Sequence, residues 1–146
     1  MATFNKLYGF VEHLAEKVHN LGSDQLVVAL SNTAPASETT RPDLVTANCI
    51  LANVTQISYT NLSSRNLTTS SSSQSSGTYS LVLADLTLTA TGSVGPFRYV
   101  YIYNSSASSP TNPLIGYYDY GSSITLASGE TFTIDFDNVS GVLTLA

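Results

Sequence analysis

Few residues in this chain could carry chemistry: two histidines, one cysteine and one close pair of aspartates. His13 and His19 are six residues apart. On a helix of 3.6 residues per turn this is about 240° of rotation, so the rings are expected on different faces, as solvated surface groups. His13 and Glu16 form an i, i+3 pair, but a helical zinc site asks for H-E-x-x-H, and that pattern is absent. Asp135 and Asp137 stand two apart in a strand-like run, which turns both carboxylates the same way. Such a pair can seat a calcium ion or act as an acid and a base. The run from Asp135 to Gly141 places Val139 where an EF-hand loop needs an oxygen ligand, so acids flanking a turn are the expectation. Cys49 is alone, which excludes an intrachain disulfide and predicts a small buried hydrophobe. There is no G-x-S-x-G elbow and no phosphate-binding loop. A serine triad would have to take its histidine from the N-terminal helix. No catalytic residue, metal site or cofactor is expected, and the chain is read as not an enzyme.

Charge narrows the partners. The 146 residues include ten acids and five bases, for a net charge of −5. Only 10% are charged, against about 25% in ordinary domains. Ser and Thr, 40 in all, take their place, as on a polar β surface. Lys6, Lys17, Arg41, Arg65 and Arg98 are scattered. Phosphate backbones and anionic lipid are bound by clustered bases, so neither nucleic acid nor a membrane surface is an expected partner. No apolar run approaches the roughly 18 residues of a membrane span. Charges at Lys6, Glu12, Glu16 and Lys17 interrupt any signal-peptide core, which predicts maturation in a cytoplasm. The five N-x-S/T sequons, starting at Asn53, Asn61, Asn66, Asn104 and Asn138, would then go unused.

These side chains must be positioned by two kinds of element. Phe4, Leu7, Val11, Leu14, Val18 and Leu21 recur every three or four residues, which predicts one amphipathic helix over residues 4–21, stopped at Gly22. Its stripe needs something to lie on, either the β domain or another subunit. Residues 1–22 are therefore read as a helix or arm, and 23–146 as a β-sandwich domain. Residues 25–31 form a near-continuous apolar run, a strand buried on both faces. A long connection follows over 32–48, then one or two short strands within 49–60. Residues 61–77 are rich in Ser and Thr, and are either flexible or an exposed edge strand. Further strands are expected over 78–90, 97–103, 114–120, 122–126, 130–136 and 141–145. Leu81 and Leu83 share one parity and Leu86 and Leu88 the other, so a bulge or a crossing between sheets is expected at Ala84 and Asp85. Gly95-Pro96 reads as a turn, and Asn138 to Gly141 as a hairpin turn. Phe97, Tyr99, Tyr101 and Tyr103 are expected on one face. The class is mainly β, a sandwich or barrel.

Tyrosine is the enriched type. Six of the nine lie between Tyr99 and Tyr120. Tyrosine suits interfaces because it buries a large area with two torsions and keeps a polar tip. It also suits stacking on sugars, and it packs well within sheets. Adjacent Tyr117 and Tyr118 point to opposite faces, so at least one is expected outside the core. Candidate interface residues are Phe4, Leu7, Val11 and Leu14 on the helix, with Tyr101, Tyr117, Tyr118 and Tyr120 on the strands.

The order of motifs carries a resemblance. The amphipathic helix is followed by Leu26-Val-Val-Ala-Leu-Ser-Asn-Thr-Ala-Pro35. Next come Gly95-Pro-Phe-Arg-Tyr99 and Leu114-Ile-Gly-Tyr-Tyr-Asp-Tyr-Gly121. Phe132-Thr-Ile-Asp-Phe-Asp137 and Gly141-Val-Leu143 close the chain. In this the chain resembles small virion structural proteins of tailed bacteriophages, including capsid cement or decoration proteins. The resemblance implies a jelly-roll-like antiparallel sandwich without catalytic residues. It implies a place on the phage head surface after assembly in the host cytoplasm, with the major capsid protein and further copies of itself, as dimer or trimer, for partners. The alternative is a receptor- or glycan-binding β module of a tail or fibre. An exposed tyrosine cluster beside a shallow groove would favour that alternative, and a flat apolar patch with an ordered N-terminal arm would favour cement.

Overall fold

Runs of β-branched and aromatic residues broken by Gly, Ser and Asn become antiparallel strands. The computed structural model describes residues 2–146, so residue 1 of the expected arm lies outside the described residues. In chain order the elements are β1 Phe4–Lys6, α1 Tyr8–Ala15, β2 Leu26–Ser31, β3 Thr69–Ser75, β4 Thr78–Leu83, β5 Leu86–Thr89, β6 Val94–Asn104, β7 Leu114–Leu126, β8 Thr131–Ile134 and β9 Leu143–Leu145. Three 3-10 turns, Pro35–Ser37, Thr46–Asn48 and Leu51–Asn53, lie between β2 and β3. The strands make a four-stranded sheet in the order β1-β7-β6-β2, a three-stranded sheet β3-β4-β9 and a two-stranded sheet β5-β8. The chain is thus mainly β, as expected, and is built as a sandwich with one helix. Sheets of four, three and two strands do not by themselves make the paired Greek keys of a jelly roll.

One core lies between the large sheet and the two small ones. Leu26, Val28, Leu30, Val100, Ile102 and Ile115 face Leu81, Leu83, Leu88, Phe132, Ile134 and Leu143. The parity change at Ala84 and Asp85 is where the chain crosses from one small sheet to the other, so β4 and β5 turn the same face inward. Asp85 fixes the crossing by accepting a 2.9 Å bond from the Phe136 amide. On the way back β8 pairs with β5 and β9 with β4. The stretch after Phe136 therefore changes sheets and does not close the expected hairpin.

The opposite face of the large sheet is covered as well. Val27, Ala29, Tyr99, Tyr101, Tyr103 and Leu114 pack under Leu7, Cys49, Leu51 and Val54. The long connection after β2 is thus a lid. Where short strands were expected near Cys49, the chain forms the turn Leu51–Asn53 and isolated bridges at Ile50 and Gln56. A lid on one face and a core on the other explain why all six residues of β2 are buried.

Three further expectations change. Gly95-Pro96 lies inside β6, and pairing with β7 slips between Val94 and Tyr99. The slip reverses parity, so Phe97 joins the sandwich core while Tyr99, Tyr101 and Tyr103 face the lid. The two expected strands over 114–120 and 122–126 are one, β7. The helix is shorter than its periodicity implied. Phe4–Lys6 pairs with Gly116 to Tyr118 of β7, because an open sheet edge satisfies backbone groups that a helix terminus would leave bare. The helix turns Gly9, Phe10 and His13 inward, not the stripe through Val11. Gly9 is required there: a Cβ on it would stand 2.5 Å from Cys49 Cβ and 3.0 Å from Thr46 Cα.

Candidate functional site

The turn after α1 sets the histidine geometry. Lys17 takes a φ of 65°, and the Val18 amide donates back to the His13 carbonyl at 2.8 Å. This fold-back returns His19 to the side of α1 that carries His13. Their ring centroids are 6.1 Å apart, and Phe10 lies 5.1 Å from His19. The rings are 5% and 6% exposed. The expected solvated pair is therefore a buried pair, because the helix that would have separated the rings ends at Ala15.

Asn104, at the end of β6 and fully buried, organises the pair. Its Oδ1 accepts from the backbone amides of Ser106 and Ala107 at 2.9 and 3.3 Å. Its Nδ2 donates to Asp24 Oδ2 at 2.6 Å and lies 3.2 Å from His19 Nδ1. An amide nitrogen only donates, so His19 Nδ1 is the bare acceptor and the ring proton sits on Nε2. His19 Nε2 and His13 Nδ1 have no partner. Burial lowers the pKa of both rings. It takes His19 to about 4, with the neighbouring His13 adding to the effect and Asp24 opposing it. His13 falls although Glu12 and Glu16 oppose the shift. The pair is thus neutral near pH 7. Among the described residues no group of three or more His, Cys, Asp or Glu is placed to hold a metal ion.

The other reactive types are occupied. Cys49 is fully buried beneath α1, and burial pushes its thiol up to about 12, far from the thiolate that chemistry requires. Asp137 Oδ1 accepts from the Val139 and Ser140 amides, both at 2.8 Å, and these bonds hold its carboxyl below the usual range. Asp137 is the turn-flanking acid the sequence suggested. Asp135 instead borders a cleft of about 290 Å³ that Tyr118 and Tyr120 also line.

The candidate interface residues divide sharply. Leu7 and Tyr101 are 2% and 0% exposed, so both belong to the core under the lid and neither can touch a partner. Phe4, Leu14 and Tyr118 are half-buried against the sandwich core, and Tyr117 against the lid core. Val11 and Tyr120 are exposed. The Tyr101 hydroxyl is buried with no partner, and a buried orphan of this kind costs about 1–3 kcal/mol. Tyr101→Phe is therefore expected to leave stability unchanged or raise it by about 1 kcal/mol in urea unfolding. A loss of that size would show that the hydroxyl is satisfied.

The surface itself supplies what the spacing missed. Among the described residues, Tyr8, Val11, Leu44 and Val45 are four of the six large hydrophobic side chains that stay exposed. Tyr8 and Leu44 line one shallow groove. Thr46 donates to Glu12 Oε2 at 2.8 Å, which holds the α1 turn bearing Val11 against the lid segment bearing Val45. Leu44 and Val45 sit in a connection without periodicity, so nothing in their spacing marked them. No helix among the described residues is long and apolar enough to cross a membrane. No family model matches the chain, no curated protein matches it, and no solved structure matches its fold.

Proposed function

We propose that this chain is a non-enzymatic structural protein of a tailed-phage virion, a cement or decoration protein that stabilises the head by bridging neighbouring major capsid subunits. The observation that carries the reading is the set of exposed apolar side chains Tyr8, Val11, Leu44 and Val45, with Tyr8 and Leu44 in one groove and the Thr46–Glu12 bond tying the helix to the lid. Exposed apolar patches on soluble proteins mark contact surfaces. The N-terminal segment beside the patch is ordered as β1 in the main sheet. Symmetric repetition makes many modest contacts of this kind additive through avidity. Added protein should bind intact heads at a fixed, saturable copy number and raise their resistance to heat. With few charges available, binding should depend weakly on salt. Val11→Asp with Leu44→Asp should abolish saturable binding while leaving the circular dichroism unchanged. Heads that ignore the wild-type protein, or that bind the variant equally well, overturn the reading. The cleft with Tyr118, Tyr120 and Asp135 supports the second reading, a glycan-binding module of a tail or fibre; binding to purified glycans in place of heads would decide for it.

A further inference from the structure

Sheet edges expose unpaired backbone groups, and proteins normally shield them. In this molecule most edges are shielded or short. Ile57, Arg65 and Leu67 bond to the outer side of β2. Ser63 does the same for β5. β1 and β9 have three residues each and β8 has four. β3 is different. It has seven residues, Thr69–Ser75, and five of them are exposed. Apart from its pairing with β4, none of its backbone groups bonds to another part of the described chain.

The usual protections are missing from β3. From residue 66 to residue 84 there is no Lys, Arg, Asp, Glu or Pro, the residues that ordinarily block edge pairing. The backbone geometry shows which groups are free. Ser76 and Gly77 have φ of 52° and 86°, the two-residue turn that closes a tight hairpin. Ser75 and Thr78 are then a hydrogen-bonded pair, and bonded pairs alternate with non-bonded ones. Ser73 bonds inward to Ser80, while the N–H and C=O of Ser72 and Gln74 point outward. The edge is also complementary to itself. An antiparallel two-fold at Ser72 sets Ser71 opposite Ser73 and Ser70 opposite Gln74, small or neutral side chains with no like-charge contact.

We propose that β3 is a self-pairing edge: two copies of this chain join β3 to β3 antiparallel around a two-fold at Ser72, making one continuous sheet of three strands from each copy. This stands whether or not the protein sits on a phage head. Sedimentation velocity of the full chain tests it. The wild type should be a dimer at micromolar concentration. Ser71→Lys with Ser73→Lys places four lysines side by side across the axis on an exposed face, and should weaken the dimer by on the order of tenfold or more. Mixing Ser71→Cys chains with Ser73→Cys chains provides a second readout that does not depend on the lysine variant folding. Positions 71 and 73 face each other across the axis as an exposed, non-hydrogen-bonded pair, the closer kind, so mild oxidation should yield a covalent dimer of one chain of each kind, while buried Cys49 stays unreacted. A wild type that remains monomeric up to about 100 µM overturns the proposal. So does a dimer that the lysine pair leaves intact, or one in which the Ser71→Cys and Ser73→Cys chains do not crosslink.

Discussion

Asn104→Leu is expected to destabilise the fold by about 3–5 kcal/mol, measured as the loss in urea unfolding free energy at pH 7. Leucine matches the volume but removes every side-chain bond that Asn104 makes. Asp24 loses the donor at 2.6 Å, and bonds to charged groups are worth about 1.5–3 kcal/mol each. The buried His19 Nδ1 loses its donor, which adds the cost of an orphaned acceptor. Two backbone amides, Ser106 and Ala107, lose their acceptor as the chain leaves β6. Asn104→Asp separates shape from bonding. It keeps the size but sets a carboxylate against Asp24, so it should be comparably destabilising at pH 7 and recover partly in acid. A loss below about 1 kcal/mol for the leucine variant would mean that the network contributes little.

The second large effect is with pH. His19 titrates near 4 when folded and near 6.5 when unfolded, so between those values only the unfolded chain takes the proton. The stability contributed by the neutral ring is complete above pH 6.5 and falls as pH drops through this window. The loss is up to about 3 kcal/mol for a shift of this size. His13, also lowered, adds in the same direction. Bond geometry points the same way, because a proton on His19 Nδ1 would set a donor against the Asn104 amide nitrogen. Glu12 on α1, Glu16 just after it and Asp24 before β2 face the pair and soften the loss. The lowered carboxylates Asp43, Asp119 and Asp137 act in a separate window. Their contribution is present above the ordinary carboxylate value and is lost as pH falls below it. His19→Gln keeps an acceptor for Asn104 and has no charge to gain. Unfolding free energies at pH 7, 5.5 and 4.5 should drop more steeply for the wild type than for His19→Gln, which keeps only the His13 contribution. A wild-type profile flat over that range would show that the rings are solvated.

The strand ladder was legible in the sequence because it follows short-range parity. The double burial of β2 is written in its continuous apolar run, and the change of parity at Ala84 and Asp85 marked a bulge or a crossing; the Ser/Thr run of β3 has no alternation and left a flexible segment and an exposed edge equally open. What parity could not show was competition between partners. Phe4 continues a helical stripe, yet the free edge of β7 captures it as a strand. Phe97 continues the tyrosine alternation, yet the pairing slip beside Arg98 turns it to the other core. Arg98 spans that slip, donating from two nitrogens to Asp119 at 2.6 and 2.8 Å. The histidines were misplaced because their separation assumed a helix that stops at Ala15. Leu44 and Val45 were invisible for a different reason: a lid has no period, and only its position over the sheet makes those residues a surface.

The pairing scheme also bears on how the chain acquires its structure. β1 waits for β7, more than a hundred residues later, and β4 waits for β9 at Leu143–Leu145. Nascent chains therefore carry the first strand and the helix face with Phe10 unpartnered through most of synthesis. Folding of this kind is dominated by distant contacts and is slow. β9 adds Leu143 to the core between the sheets, so that core is completed only after the strands on either side of it are in place. A chain interrupted before Leu143 would leave the β9 side of Tyr79, Ser80 and Leu81 unpaired and one core position empty, exposing a strand edge that favours capture by chaperones or proteases.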